Sequence, residues 1–158
     1  GPAEDRNARN RMANLSPART AHFLRAALAQ LAAQPACSGA LGIVALGWGG
    51  GGLATVAADP GAVKSIVVVH TALPPELLHA VKVPLQLHYA GHDDKMQAQI
   101  DPVERRLIGH SRVYEQFAYE EAGPGFVNEL DEKRYNEKAA RALLGRMEFF
   151  LARTLRGR

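Results

Sequence analysis

The sequence predicts an α/β fold in which helices flank a sheet of about four mostly parallel strands, and three observations predict it. Short uncharged apolar runs alternate along the chain with segments of helical periodicity, an order typical of parallel sheets. The run at 41–46 is continuously apolar, and the run at 65–69 is apolar after Ser65, as expected of strands covered on both faces. The length of 158 residues suits one domain with its own core and not two.

The first residues do not share this pattern. Residues 3–14 are polar and rich in arginine, and we expect a flexible lead-in over residues 1–14. The pair Gly1-Pro2 resembles the scar left when a purification tag is removed, and it is set aside. The folded domain is therefore expected to cover residues 15–158.

The elements of this domain follow from local signals. Ser16-Pro17 predicts a helix start, because serine accepts hydrogen bonds from the free N–H groups of a first turn and proline fits the first helical position. That helix ends before Pro35, and the run 41–46 predicts the first strand. Later in the chain we expect strands at 65–69, 84–89 and 112–119, and helices at 53–58, 101–109 and 132–155.

Composition and charge exclude several classes of protein. With 47% hydrophobic and 22% charged residues, the chain has the balance of a globular protein and not of a disordered one. No apolar run reaches the roughly 18 residues of a membrane span, and we expect a cytoplasmic protein. Cys37 is the single cysteine, which excludes an internal disulfide and paired-cysteine zinc sites. The net charge of +3 comes with no groove-reading motif, so nucleic-acid binding is not expected.

The most specific local feature is the glycine-rich segment Gly47–Gly52, interrupted only by Trp48, between the first strand and a helix. This is the layout of a nucleophile elbow, in which a sharp turn lifts a reactive side chain above the sheet. A P-loop would need a Gly-Lys-Ser/Thr ending, which is missing. A dinucleotide fingerprint would need an acidic residue at the end of the next strand, where His70 stands instead. The glycines can also serve only to let strand and helix pack closely.

Four segments, in order, make the sequence resemble the dienelactone hydrolase family of α/β-hydrolases over about residues 15–155. The segment 47–52 is similar to the family's elbow. Residues 87–93 read L-H-Y-A-G-H-D and are similar to the end of a family strand. Residues 124–129 are similar to the final active-site loop, and 134–140 to the closing segment. The resemblance implies a shortened α/β-hydrolase fold.

The resemblance also implies a catalytic triad of cysteine, histidine and aspartate, which this sequence does not carry in full. The cysteine position falls on Gly49 and the histidine position on Pro124, and neither residue can act as a nucleophile or a base. Asp93 is the one triad position retained, and it is left without an imidazole to orient. Because the triad mechanism needs a nucleophile activated by a base, we expect no hydrolysis by the family route.

A second departure concerns the part of the family fold that precedes residue 15. The sequence lacks a match to the family's N-terminal strands, so the strand at 41–46 is expected to become an edge. This strand carries no charge and no proline, and such an edge invites pairing with another chain. We therefore expect a homodimer, or a complex with a chain that supplies the missing strands.

Several residues at the carboxyl ends of the strands are candidates for a ligand cleft, where open α/β sheets bind ligands. A small-molecule ligand would contact Trp48, Gly49, Gly50, His70 and His92. Each residue has a structural interpretation beside the functional one: Trp48 as a packing residue, His70 as a surface histidine, the glycines as close-packing positions.

The remaining polar candidates favour structural roles. Asp93 is expected to hydrogen-bond loop backbone. The group His88, His92, Asp93 and Asp94 contains metal-ligating types, but His88 fits a strand position, and we expect neither a metal site nor a cofactor. Cys37 lies before a strand and is expected to be inert.

Two hypotheses of function follow. The first is a non-catalytic dienelactone hydrolase-like protein that acts as a binding or assembly module through its exposed strand. The alternative is an enzyme of altered chemistry, in which a cleft near Gly49, His70, His92 and Asp93 uses histidine as acid or base. In that case another chain could complete the site.

Overall fold

The computed structural model describes residues 2–108 and 114–156, and it confirms an α/β fold with four parallel strands flanked by helices. The strands are β1 (Leu41–Leu46), β2 (Val63–Val69), β3 (Leu85–Ala90) and β4 (Tyr114–Tyr119), and they lie in chain order in one sheet. The helices are α1 (Pro2–Ala13), α2 (Pro17–Ala32), α3 (Gly50–Ala58), α4 (Asp94–Ile108) and α5 (Glu137–Leu155), with a short 3₁₀ helix over Pro75–Ala80.

Different helices cover the two faces of the sheet. Ile66 and Val68 of β2 belong to a core that includes residues of α2, α3 and α4. Val67 and Val69 belong to a second core, which is closed by α5. Alternate residues of a strand point to opposite faces, and all four of these side chains are buried. Burial on both sides explains why residues 66–69 of β2 form a continuous apolar run.

The parallel arrangement decides where a functional site can lie. β1 pairs with β2, β2 with β3, and β3 with β4, each in parallel. The carboxyl ends of all strands therefore meet at one edge of the sheet, where the loops after β1, β2 and β3 carry the glycine turn, His70 and Asp93. Within the described residues, β2 is the one strand that pairs with β1.

Helix α4 begins earlier than the sequence predicts, at Asp94 instead of residue 101, and it contains Pro102. A proline inside a helix removes one hydrogen bond and usually marks a helix end. Here Met96, Val103 and Leu107 are buried in the core. This buried stripe holds the helix together through the proline.

Other boundaries also differ from the prediction. Strand β2 begins at Val63 and not at 65, and helix α3 begins at Gly50 and not at 53. Helix α5 begins at Glu137 and not at 132, because the Asn136 Oδ1 atom accepts a hydrogen bond from the Ala139 N–H at 3.0 Å and caps the first turn. The predicted strand 112–119 is observed over Tyr114–Tyr119, and its first two positions lie outside the described residues.

Helix α1 occupies the segment that the sequence marks as a lead-in. Its arginines and alanines are good helix formers, although the segment has no apolar stripe, and Arg6, Arg11 and Met12 are exposed. Among the parts of the chain that the structure describes, no helix combines the length and the apolar character that crossing a bilayer requires.

Candidate functional site

The glycine turn after β1 changes the direction of the chain sharply. The Gly47 N–H donates to the Val69 carbonyl at 2.9 Å and so continues the ladder with β2. Gly47 has φ +72° and Gly49 has φ +94°, a region that glycine adopts without steric cost. Gly49 is the N-cap of α3, and its carbonyl accepts the Leu53 N–H at 3.0 Å. The turn therefore has the strand–turn–helix layout that the sequence predicts.

The glycines of the turn differ in how closely other atoms approach them. A Cβ atom on Gly50 would lie 1.6 Å from the Ala72 carbonyl oxygen, and one on Gly52 would lie 2.5 Å from Thr20 Cγ2. A Cβ atom on Gly49 would meet only Thr20 Cγ2, at 3.9 Å. Gly50 and Gly52 are thus required for packing of α3 against α2 and the loop after β2, whereas the space around Gly49 is open.

His70 directly follows β2 and has a positive φ of +49°. Histidine adopts this backbone conformation more readily than most residues do. Its Nδ1 atom accepts a hydrogen bond from the Ala90 N–H at 3.3 Å. The Nε2 atom must then carry the proton, and it donates to Asp93 Oδ2 at 3.0 Å. Both ring nitrogens are therefore bonded, one to β3 and one to the start of α4.

Asp93 is held mainly by backbone groups. Its Oδ1 atom accepts the N–H groups of Lys95 at 3.0 Å and Met96 at 3.1 Å, which caps the first turn of α4. The Met96 N–H has the largest effect in holding the pKa of Asp93 below its usual value, and the hydrogen bond with His70 acts in the same direction. Burial opposes the shift. Asp93 is a charged capping residue at neutral pH.

The prediction that Asp93 has no imidazole partner is therefore wrong. The partner is His70, which lies 23 positions earlier in the chain and on a neighbouring strand. No local motif connects the two residues, although the alternative function inferred from the sequence places both in one cleft. The only signal is that each follows a buried parallel strand, and the ends of such strands meet at one edge.

We expect Asp93→Ala to lower the free energy of unfolding by about 1–2 kcal/mol, the usual effect of removing a helix cap. Because the pKa of Asp93 is lowered on folding, this contribution is present above the unfolded pKa of about 4 and is lost as the pH falls through the lower folded value. Urea unfolding at pH 7 and pH 3 measures it.

The neighbouring Asp94→Ala is the matched control for that substitution. Asp94 is exposed at the start of α4, and its replacement should change the free energy of unfolding by no more than about 0.5 kcal/mol. Equal effects of the two substitutions at pH 7 would contradict the capping role of Asp93.

His92 and Pro124 lie on an open cleft of about 630 Å³. Both residues are exposed, and Lys133, Arg134 and Glu121 also line the cleft. The sequence predicts one ligand cleft for His92, Trp48, Gly49, Gly50 and His70. In the structure His92 and Pro124 line the same cleft. Trp48 is 39% exposed beside the glycine turn.

The structure contains a buried polar chain that the sequence analysis did not find. His88 is fully buried on β3. The Tyr119 hydroxyl donates to its Nδ1 atom at 2.8 Å, and its Nε2 atom donates to Gln86 Oε1 at 2.9 Å. Gln86 Nε2 in turn donates to Glu115 Oε2 at 2.9 Å, and Glu115 pairs with Arg153. The pattern Gln86-Leu87-His88 put both polar residues on one face of a buried strand, which was the available signal.

Two buried hydroxyl groups have structural partners. Ser65 Oγ is 2.7 Å from Thr154 Oγ1, and Thr71 Oγ1 donates to the Val69 carbonyl. Cys37 is partly exposed. In residues 2–108 and 114–156, no three His, Cys, Asp or Glu side chains form a group that could hold a metal ion.

Comparison with known proteins supplies the context for this site. The family model described as "Dienelactone hydrolase family" matches residues 1–155. A comparison with curated protein sequences finds no match.

Three solved structures have the same fold. A protein of Klebsiella pneumoniae assigned as a dienelactone hydrolase superposes with a TM-score of 0.78 at 20% identity, over 89% of this chain and 62% of that one. The dienelactone hydrolase-like promiscuous phosphotriesterase P91 from metagenomic libraries gives 0.70 at 19%, over 87% and 62%. A dienelactone hydrolase of Anabaena variabilis gives 0.74 at 21%, over 98% and 68%. The chain thus spans about two thirds of the length of these structures.

Proposed function

The chain belongs to the dienelactone hydrolase family, and from this premise we propose that it is a non-catalytic member that acts as a binding or assembly module. One observation carries the proposal: Asp93 Oδ1 accepts the N–H groups of Lys95 and Met96 and caps α4, which gives this carboxylate a structural role. The resemblance in sequence assigns the family's nucleophile and base positions to Gly49 and Pro124, which cannot supply a thiol or an imidazole. The proposal includes a cytoplasmic location.

The His70–Asp93 pair does not replace the lost base. A general base needs a nitrogen lone pair that faces the proton of the nucleophile. The Nδ1 lone pair of His70 is occupied by the Ala90 N–H, and Nε2 points its proton at Asp93. His70 therefore joins the end of β2 to β3 and to the cap of α4, which is a structural role.

We expect the unsubstituted chain to turn over p-nitrophenyl acetate and dienelactone no faster than buffer alone does. The Asp93→Ala variant should give the same background rate. Intact-mass spectrometry after incubation with each substrate should show no acyl adduct. A dienelactone hydrolase that retains its triad serves as the positive control. Turnover well above the buffer rate that disappears in Asp93→Ala, or an acyl group on any residue, would overturn the proposal.

The rival function is acid–base catalysis, and the 3.0 Å contact between His70 Nε2 and Asp93 Oδ2 favours it. A carboxylate kept charged beside an imidazole is a usual feature of such sites. In this case His70→Gln would abolish turnover. His92→Gln is the matched control, because His92 is exposed on the neighbouring cleft.

The surface for assembly is the free edge of β1, which pairs with either a second copy or a separate chain. Val44 and Leu46 are 42% and 62% exposed, and the strand carries no charged residue. Large aliphatic side chains exposed next to unpaired backbone groups favour strand pairing.

A further inference from the structure

The free edge of β1 presents a defined set of backbone groups. The Leu41 N–H donates to the Ala62 carbonyl and the Gly47 N–H to the Val69 carbonyl. In a parallel pair, alternate residues direct both backbone groups to the same neighbour. The odd-numbered residues of β1 thus face β2, and the N–H groups of Gly42, Val44 and Leu46 point away from it.

The Cα–Cβ directions of these three residues point to the face that α5 covers. A Cβ atom on Gly42 would lie 3.1 Å from Leu151 Cδ2 and 3.4 Å from Leu155 Cδ2, so Gly42 lies under α5. Val44 and Leu46 follow at the period of a strand and stay largely exposed. Leu144 is 49% exposed and lies on the helical stripe of Leu151, seven positions earlier. The apolar surface therefore extends from β1 onto α5.

We propose that β1 pairs in antiparallel orientation with β1 of a second copy of this chain. The two-fold axis passes midway between Val44 and the partner's Val44. The result is a continuous sheet in which both copies keep α5 on the same face. This inference rests on the proposed function, because it names the partner of the assembly surface.

Hydrogen-bond geometry favours this register. A two-fold axis perpendicular to the sheet must bring even-numbered residues opposite one another, and the axis at Val44 is the one that pairs all three free residues within β1. Centring the axis on Val44 lets Val44 exchange both backbone bonds with the partner's Val44. It also places Gly42 opposite the partner's Leu46. The free N–H groups of all three residues then have acceptors, although the Leu46 carbonyl already accepts the Trp48 N–H at 2.9 Å and must accept a second bond.

The uncharged sequence of β1 favours a second copy as the partner. A two-fold axis brings identical residues together, which is unfavourable when they are charged, and β1 has no charge. The partner's Leu46 would lie beside Gly42, where Leu151 and Leu155 offer apolar contacts. A stable dimer buries about 800 Å² per partner, and the side chains of Val44, Leu46 and Leu144 extend the interface beyond the backbone edge.

The test uses complementary charges on the axis. We expect the unsubstituted chain to elute as a dimer of two 17.0 kDa protomers in size-exclusion chromatography with light scattering. Val44→Lys and Val44→Glu should each be monomeric at the same micromolar concentration, because like charges meet at the axis. An equimolar mixture of the two variants should recover the dimer. Leu130→Lys, at a side chain that is 95% exposed in a loop, is the control and should remain dimeric.

A cross-link gives a second readout that does not depend on charge. In a Cys37→Ser background, Val44→Cys should form a disulfide-linked dimer on mild oxidation, since Cα atoms of a hydrogen-bonded antiparallel pair lie about 5.5 Å apart, within disulfide range. Leu130→Cys in the same background should not.

The outcomes separate this inference from the proposed function. A monomeric unsubstituted chain would overturn self-pairing and leave the lack of hydrolysis untouched. A dimer that persists in both charged variants would place the interface elsewhere and overturn the register. Monomeric variants that do not recover a dimer on mixing would overturn the axis at Val44. Acyl transfer by the dimer would overturn the non-catalytic proposal and leave the interface standing.

Discussion

Gly50→Ala will destabilise the protein by at least about 3 kcal/mol, the upper end of what overpacking costs. The added Cβ would lie 1.6 Å from the carbonyl oxygen of Ala72 and 2.7 Å from its carbonyl carbon. These are backbone atoms, so the clash cannot be relieved by a rotamer change. Either α3 or the loop after β2 must shift, and Gly50 itself is buried. Urea unfolding followed by circular dichroism measures the loss.

Gly49→Ala is the matched control, one position away in the same turn. Its Cβ meets only Thr20 Cγ2 at 3.9 Å, so the cost is the strain of an alanine at φ +94°, about 1–3 kcal/mol. The order of the two variants is the decisive result. If the free energy of unfolding of Gly50→Ala equalled or exceeded that of Gly49→Ala, the glycine run would not fix the packing of α3.

Some features of this turn could be predicted from the sequence, because they depend on neighbouring residues. A buried apolar run that ends in glycines is a local signal, and it correctly gave β1 and the turn into α3. The need for glycine at position 50 comes from Ala72, 22 positions later. That contact exists only after β2 has paired with β1, so no reading of the local sequence could separate Gly50 from Gly49.

The same distinction holds at Asp93. Its interaction with loop backbone could be predicted from the chain around it, and the bonds to Lys95 and Met96 are local. Its partner His70 comes from another strand. The start of α4 was missed because Pro102 suggested a helix beginning, while the cap is Asp93 itself. The hydrogen bonds of Asp93 with neighbouring residues could be predicted from the sequence. The hydrogen bond with His70, which forms only when the strands pair, could not.

His88 gives the largest pH effect that we expect in this protein. It is fully buried, and it is neutral because its Nδ1 atom accepts from the Tyr119 hydroxyl while its Nε2 atom donates to Gln86. Burial lowers its pKa from 6.5 to about 4, and Arg146 adds to the shift while Glu115 opposes it. Protonation would also leave the Nδ1 atom facing the Tyr119 oxygen as a second donor, and the hydroxyl would have to turn away.

We expect the free energy of unfolding to fall by about 3 kcal/mol as the pH is lowered from 6.5 to 4, at about 1.4 kcal/mol for each pH unit. The sign follows from proton binding: between these two values the unfolded chain holds a proton on His88 and the folded chain does not. Lowering the pH therefore favours unfolding, and the effect saturates below the folded pKa of about 4. Urea unfolding in steps of half a pH unit measures the slope.

His88→Gln is the variant that isolates this effect, because glutamine has no proton to gain in this range and can still donate to Gln86 and accept from Tyr119. It should be less stable than the unsubstituted chain at pH 7 but should lose most of the slope between pH 6.5 and 4. The stabilisation by Asp93 is lost only below about pH 4, because its folded pKa is below its usual value. The pH ranges in which Asp93 and His88 affect stability are therefore separate. An unchanged slope in His88→Gln would show that His88 is not the group that titrates, and the buried chain would then have no part in the acid sensitivity of the fold.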